Sequence, residues 1–308
     1  MEVISTLAGL GGRFAKTAVA LGTFDGVHVG HQRIISQAVA LARDTQAVSA
    51  VFTFSNHPLS VIAPDRCPPL IVSPDYKAEL IAALGADVLL SIPFTADFLR
   101  LTPRQFIDLL VENLRPAYLV VGDNYSFGYH GTGNPQLLRQ AGRESGYEVV
   151  IPPPVTVEGQ LVSSTVIRQH IQAGRVEEAS RLLGRPFRLS GVVAAGDGRG
   201  RTLGFPTANL EAIECQVIPA DGVYAVRVEA DGRRYRGVAN IGTNPTFNGL
   251  SRRTEVHILD FSGDLYANTI LVDFITRLRG EQSFAGADSL KDQINRDVAA
   301  ARDILNFI

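Results

Sequence analysis

The stretch "LGTFDGVHVGHQRII", Leu21–Ile35, decides how the first half of the chain is read. Just before and into it, Thr17–Gly22 ("TAVALG") is a short apolar run ended by glycine, the pattern of a buried strand. Beyond Gly30, the residues Ile34, Ile35, Ala38, Leu41 and Ala42 recur at helical spacing. A strand, a glycine-rich turn and a helix are therefore expected, with His28 and His31, two of six histidines, where the turn becomes the helix. Open α/β sheets bind ligands at that edge, and a helix start presents unpaired N–H groups to anions.

Composition bounds the class. A chain of 308 residues can build two domains with full cores, and 45% hydrophobic with 19% charged residues is an ordinary globular balance. A net charge of −2, without a basic aromatic stripe, argues against nucleic acid as a partner, including RNA on a small barrel. Lysine occurs only at Lys16, Lys77 and Lys291, so nearly all positive charge is arginine. Coding bias explains that, and phosphate recognition could use it. Cys67 and Cys215 stand apart with no CxxC spacing, which suits a reducing compartment. No basic leader with an apolar core is present, and no apolar stretch approaches membrane-spanning length. These features predict a soluble cytoplasmic protein with no membrane partner.

The rhythm changes near residue 186. Before it, strand candidates at 17–22, 47–54, 87–92, 118–122 and 147–151 alternate with helices. Thr102-Pro103-Arg104-Gln105 reads as a capping box with proline at the first helical position, and Asn134-Pro135 repeats the cap-then-proline signal. Such alternation predicts an α/β domain with a doubly wound parallel sheet, ending in short helices at roughly 164–173 and 176–183. After Gly184-Arg185-Pro186 come strand-like runs, with Asp231-Gly232 as a hairpin turn between two of them. They predict a small antiparallel β-barrel followed by a helix opening at Ser289. The expected domains are 1–186 and 187–308.

Four signals fall at the ends of elements in the first domain. They are "GTFDGVHVGH" (Gly22–His31), "TFSNHP" (Thr53–Pro58), "VVGDNYSFG" (Val120–Gly128) and "VSSTVIRQHI" (Val162–Ile171). In the last, Ser164 and Arg168 share a helical face, so Arg168 can reach back toward an anion at Ser163, Ser164 and Thr165. Each signal alone has a plain structural explanation; four at one sheet edge point to a phosphate ligand. A zinc site of His28, His31 and His57 is an alternative, without a Cys or carboxylate pattern to close it. GxxxxGK[ST] is absent and no GxGxxG follows the first strand, which excludes a P-loop and disfavours ordinary dinucleotide binding.

HxGH after the first strand together with SSTxxR resembles the nucleotidylyltransferase superfamily. With "TFSNHP" and "VVGDNYSFG" added, the domain looks like the FMN adenylyltransferase half of bacterial bifunctional riboflavin kinase/FAD synthetases. The resemblance implies His28, His31 and Arg168 as catalytic. It places Gly22, Phe24, Asp25, Gly30, Ser163, Ser164 and Thr165 on ATP phosphates, and His57, Pro58 and Asn124 on flavin. That family often reads DFxFG where this chain has Asn124-Tyr125. FMN phosphate would attack the α-phosphorus of ATP and pyrophosphate would leave. The attacking phosphate is already ionised, so positioning and charge stabilisation carry the chemistry.

The second domain opens on "GDGRGRTLGFPTANL", Gly196–Leu210. Glycine-rich backbone can approach phosphates closely, and Thr207 and Asn209 alternate onto one face of an extended segment as hard oxygen ligands for Mg²⁺. The stretch resembles the riboflavin kinase signature, continued in order by "GVYAV", "GVANIGTNPTF" and "EVHILDF". The resemblance implies Gly196, Gly200 and Arg201 on ATP, Thr207 and Asn209 on Mg-ATP, Glu255 as the base, and Arg279 in a loop over the flavin. His257 shares a strand face with Glu255 and is the rival base. The resulting expectation is one chain that takes riboflavin to FMN and FMN to FAD, using ATP and Mg²⁺ and releasing ADP and pyrophosphate. A different small-molecule nucleotidylyltransferase fits the C-terminal motifs less well, and intact His28, His31, Arg168, Thr207, Asn209 and Glu255 argue against a flavin- or nucleotide-responsive binding protein without turnover.

Overall fold

The run TAVAL is a strand buried at all five positions, because helices cover both faces of its sheet. The computed structural model describes residues 1–195, 204–212, 215–246 and 249–306. Six strands form the sheet: β1 (Glu2–Ile4), β2 (Thr17–Leu21), β3 (Val48–Phe54), β4 (Val88–Ile92), β5 (Pro116–Val120) and β6 (Glu148–Val150). All pairings are parallel, in the order β1-β4-β3-β2-β5-β6. This is the doubly wound sheet expected from the alternation. β1 was not expected: its three residues, two of them exposed, are too short to show a period, and pairing with β4 makes the strand.

Strand alternation splits the core in two. Val19, Leu21, Phe52, Leu90 and Leu119 pack with Phe106 and Leu110 and with Leu138 and Ala141. Those four belong to α5 (Pro103–Leu114) and α6 (Pro135–Ser145). On the other face Ala20, Val51, Leu89 and Val120 meet Ile35, Ala38 and Ile81, from α1 (Val29–Asp44) and α3 (Pro74–Ala83). Short helices α2 (Leu59–Ile62) and α4 (Ala96–Leu99) lie in the connections after β3 and β4. The predicted caps are present: Thr102 Oγ1 accepts from the Gln105 amide while the Gln105 side chain accepts from the Thr102 amide, and Asn134 Oδ1 accepts from the Leu137 amide. A two-stranded hairpin, β7 (Thr156–Val157) with β8 (Gln160–Leu161), completes this unit, which comprises Met1–Pro68 and Pro74–Ser163.

The second unit comprises Pro69–Ser73 and Ser164–Ile308. Helices α7 (Ser164–Gln172) and α8 (Val176–Leu183) belong to it, the latter stopped by Gly184 at φ 72°. Its strands are β9 (Phe187–Ala194), β10 (Ala208–Ala212), β11 (Gly222–Ala230), β12 (Arg233–Thr246), β13 (Gly249–Ile258) and β14 (Thr269–Arg279). They close into an antiparallel barrel in the order β10-β13-β12-β11-β14-β9. Asp231 and Gly232 form the expected two-residue hairpin, both at positive φ, with Ala230 paired to Arg233. The last helix, α9 (Ala287–Asn306), lays Ala301 and Leu305 on Val223, Ala225 and Val238. It begins two residues before Ser289, whose Oγ instead donates to the Gly286 carbonyl.

Segment 69–73 joins the barrel unit as a strand-like tie. The Leu70 amide donates to the Cys215 carbonyl and the Val217 amide to the Leu70 carbonyl, each at 2.8 Å, and Ile71 is fully buried. α8 is held similarly: the Glu177 carboxylate accepts from Thr276 Oγ1 and the Arg277 amide on β14.

One glycine is required by both torsion and space. Gly128, at φ 72° and ψ 179°, occupies a region open essentially to glycine alone, and an added Cβ would stand 2.7 Å from the Pro103 nitrogen. Gly128→Ala is expected to lower stability by about 1–3 kcal/mol from the backbone alone, more with the clash, read from urea unfolding. An unchanged midpoint would show that the loop rearranges freely.

Candidate active sites

The turn from β2 into α1 is wound through unusual backbone. Phe24 and Val27 have φ of 48° and 40°, and Gly26 lies at 86°. A β-branched residue at positive φ is strained, and such strain persists only where surrounding packing enforces it. Phe24 supplies that packing: its ring is fully buried and meets the His31 ring edge-on at 5.3 Å. Its side chain therefore serves the turn's core, and only its backbone can face a ligand.

The winding delivers His28 to the N-cap of α1, where its Nδ1 accepts from the His31 amide at 3.2 Å. Since Nδ1 accepts, the ring proton sits on Nε2, and His28 presents a donor. The His28 and His31 rings stack at 3.5 Å, 19° from parallel. Gly30 lies beneath the His28 ring, where a Cβ would come within 3.1 Å. The HxGH spacing thus builds one object: a cap, a fixed tautomer and a ring stack.

His31 is half-buried, and its Nδ1 is a buried atom without a hydrogen-bond partner among the described residues. Its pKa lies well below the ordinary 6.5, first because burial disfavours the imidazolium, then because positive charge at His28 or at Lys77 would repel one on His31. Two neutral imidazoles at a helix start are suited to hydrogen-bonding phosphate oxygens.

Neighbouring strand ends supply the other expected groups. Thr53 Oγ1 donates to the Thr23 carbonyl at 2.9 Å, linking the β3 end to the histidine turn. Asn56 clamps Phe94 in both directions, through its Nδ2 to the carbonyl and its Oδ1 from the amide. His57 Nδ1 accepts from the Leu59 amide, and both His57 and Pro58 are half-buried. Asn124 is exposed after β5, with its Oδ1 over Gly122. Asp25 is buried, and Gly22 is crowded by the Phe24 ring. Among the described residues no three His, Cys, Asp or Glu side chains cluster as a metal site, so the zinc alternative gains no support.

Ser163 is the last residue of the first unit, and Ser164 opens α7 in the second with Thr165 exposed. Arg168 is 8% exposed, and its Nε donates to the Pro69 carbonyl at 2.7 Å. That edge of the guanidinium thus serves the 69–73 tie.

In the barrel, Thr207 and Asn209 line a cavity of about 580 Å³ with Val193, Val256, Ile258 and the loop Phe261–Tyr266. Asn209 Oδ1 is a buried acceptor with no hydrogen-bond partner among the described residues. A neutral amide oxygen beside a hydroxyl is a hard donor set that fits Mg²⁺ carried by nucleotide phosphates. Gly196, Gly200 and Arg201 lie outside the described residues.

Register sets Glu255 across from the PTAN segment, paired with Asn209 on one side and Asn240 on the other, although it does not itself line the cavity. Thr254, Val256 and Ile258 are buried, so Glu255 and His257 share the outer face, both half-buried. His257 Nδ1 lies 2.7 Å from the Pro206 carbonyl, to which it donates, tying β13 to the PTAN segment. Arg279 is gripped by Asp297 of α9 through its Nε and Nη2 and lies over the Phe284 ring at 5.7 Å. Its guanidinium anchors the loop after β14.

Residues 13–166 match the FAD synthetase family and residues 183–305 the riboflavin kinase family. The bifunctional riboflavin kinase/FMN adenylyltransferase of Escherichia coli K12 is 40% identical over 94% of this chain and 93% of its own. The chain belongs to this bifunctional family. The Bacillus subtilis member is 38% identical over 92% and 90% of the two chains. A crystal structure from Streptococcus pneumoniae, described as a macrolide-efflux protein, superposes with a TM-score of 0.87 at 35% identity, over 97% of this chain and 98% of its own. Among the described residues, no helix here is long and apolar enough to cross a membrane. The chain is thus a transferase of flavin cofactor biosynthesis, with riboflavin kinase and FMN adenylyltransferase domains.

Sequence reasoning passed over Lys77. It sits on the inner stripe of α3 with Ile81, 8% exposed, and its Nζ donates to the Phe54 carbonyl at 2.8 Å. The signal available was a lysine one helical turn from an apolar core position.

His31 also carries a pH signature. Its folded pKa is depressed, so below 6.5 the unfolded chain binds a proton that the folded chain refuses. Stability is expected to fall as pH drops through 6.5 toward the folded value, and His31→Gln to lessen that slope. Urea midpoints between about pH 7.5 and 5.5 read both slopes, and identical slopes would count against a neutral buried His31.

Proposed function

We propose that the two activities reside in two distinct constellations. The stacked His28–His31 pair carries adenylyl transfer, and Thr207, Asn209 and Glu255 carry phosphorylation. The observation that supports the first most directly is the His28 Nδ1 cap, which places the ring proton on Nε2 at a helix start. An FMN phosphate oxygen attacks the α-phosphorus of ATP and pyrophosphate leaves. Neutral imidazole donors and α1 amides hold the charge that develops, with Gly22, Asp25, Gly30 and the Phe24 backbone shaping the turn. Ser163, Ser164, Thr165 and Arg168 take phosphates by family position, and His57, Pro58 and Asn124 take the flavin.

In the barrel, the ribityl hydroxyl attacks the γ-phosphorus and ADP leaves. That hydroxyl is neutral at pH 7, so its proton needs an acceptor, and the Glu255 carboxylate is assigned the task. Asn209 and Thr207 would hold Mg²⁺, which when bound would neutralise phosphate charge. Gly196, Gly200 and Arg201 are assigned to ATP by family position, and Arg279 to the flavin-covering loop. The reactions are assigned to the cytoplasm, in keeping with two free cysteines. The activities divide near residue 186, as the family boundaries at 166 and 183 support.

Incubation with riboflavin and Mg-ATP, with FMN and FAD quantified separately, tests the whole reading. His28→Ala is expected to slow FMN to FAD by about 10²–10³ while riboflavin to FMN stays near normal. Glu255→Gln is expected to do the reverse, lowering the kinase rate by roughly 10²–10⁴. If Glu255→Gln phosphorylates riboflavin normally while His257→Gln does not, the base is the histidine. Fragment 1–186 is expected to retain some adenylylation. Fragments 187–308 and 164–308 are both expected to phosphorylate riboflavin, the shorter unfolding more readily because it lacks the Glu177 contacts to β14. Activities that need both halves, each being folded, would refute the division.

A further inference from the structure

Segment 69–73 is built as a rigid seat. Its sequence, Pro-Leu-Ile-Val-Ser, follows Pro68 and precedes Pro74, and prolines fix φ at its entry and just past its exit. Leu70 lies in register with Gln216, its amide and carbonyl bond Cys215 and Val217 at 2.8 Å, and Ile71 is fully buried. Gln216 adds a second set of bonds. The residue is 6% exposed, a place where leucine would need no partners. Its amide oxygen accepts from the Ser190 amide of β9 at 3.1 Å, and its amide nitrogen reaches the carbonyls of Arg188 and Ile71, each at 3.5 Å. One buried side chain thus pins the segment to a barrel strand, and leaving its amide unpaired there would be costly.

The segment in turn holds α7. The Pro69 carbonyl accepts from Arg168 Nε at 2.7 Å, one contact among others of that side chain. Further along, the Ile171 carbonyl accepts from the Ala220 amide at 3.3 Å. At Gly174, φ 74°, an added Cβ would stand 2.9 Å from the Tyr224 hydroxyl. The helix that carries Ser164, Thr165 and Arg168 is therefore fastened at its middle and at its end.

We propose that Gln216 is a positioning residue for adenylyl transfer: through segment 69–73 it sets the Arg168 guanidinium in the orientation that meets the phosphates of ATP. The inference rests on the proposed role of Arg168. A planar guanidinium presents its donors as a rigid fork, so fixing the Nε edge fixes the direction of the whole group. A glutamine buried in the barrel unit thereby governs the rate of a reaction assigned to the α/β domain.

The test uses the full chain with FMN and Mg-ATP. Gln216→Met keeps length and packing but removes the bonds to Ile71 and β9. It is expected to lower kcat for FAD formation by about 10- to 100-fold, the loss that a misplacement near 1 Å brings, while KM for FMN holds. Riboflavin phosphorylation in the same preparation is expected to hold as well. If both activities fall together, the substitution has damaged the barrel and the proposal falls. The double variant reads the link itself. In an Arg168→Met background, Gln216→Met is expected to slow FAD formation no more than about twofold further, because both act through one guanidinium. An undiminished further loss there would sever Gln216 from the arginine. Arg168→Met alone separates the two claims. If it forms FAD at the normal rate, the assigned role of the arginine fails; if it is slow while Gln216→Met is normal, that role stands and the one given to Gln216 fails. Hydrogen exchange on the unaltered protein covers the case in which either variant does not fold. The Leu70 and Val217 amides are expected to exchange as slowly as the paired amides of β11, and exchange at the rate of exposed loops overturns the fixed seat.

Discussion

The His31 amide donates to Nδ1 of His28, and this short-range bond organises the edge of the α/β sheet. It satisfies one of the unpaired amides at the start of α1, sets the His28 tautomer and holds the rings in contact. The bond requires a chain that arrives from β2 through backbone no ordinary turn adopts, with Val27 at φ 40°. The buried Phe24 ring and the sheet beneath it hold that shape. The glycine of HxGH and the aromatic of the preceding turn are then packing requirements of the histidine pair. Neither needs to touch a phosphate through its side chain.

The two halves solve different chemical problems and are built differently for it. A phosphate nucleophile is already charged, so the proposed α/β site is asked for donors and a dipole rather than a base. A hydroxyl nucleophile must lose a proton; in the proposed reading Glu255 accepts it, and the barrel pairs that residue's strand with the Thr207–Asn209 strand. Barrel closure makes that alignment dependable. With β9 paired to β10 and β10 to β13, the register of Asn209 against Glu255 cannot slip without breaking the ring of pairings.

Much of this was readable before any coordinates. The two-sided burial of β2 follows from an apolar run with no polar alternation, and the Thr102 and Asn134 caps from short-range side-chain chemistry. Asp231-Gly232 announced its hairpin because few other pairs accept positive φ twice. Where long-range pairing decided the outcome, the reading stopped short. β1 exists only because β4 pairs with it, and the start of α9 lies before the serine that looked like its cap. The apolar stretch around Leu70 carried no mark that it would join the barrel unit at Cys215–Val217.

The candidate sites divide along the same line. Residue types and spacing alone determined the helix-start histidines, the oxygen pair Thr207 and Asn209, and the change from α/β to all-β near residue 186, since each rests on neighbours within a few positions. Only the tertiary structure decided that Phe24 is core, that Arg279 answers to Asp297, that His257 braces Pro206 and that Lys77 lies buried at a strand end. The reason is physical. A side chain's charge and hydrogen-bonding capacity are written in its type, whereas its partner is set by which distant strand or helix the fold brings within about 3 Å.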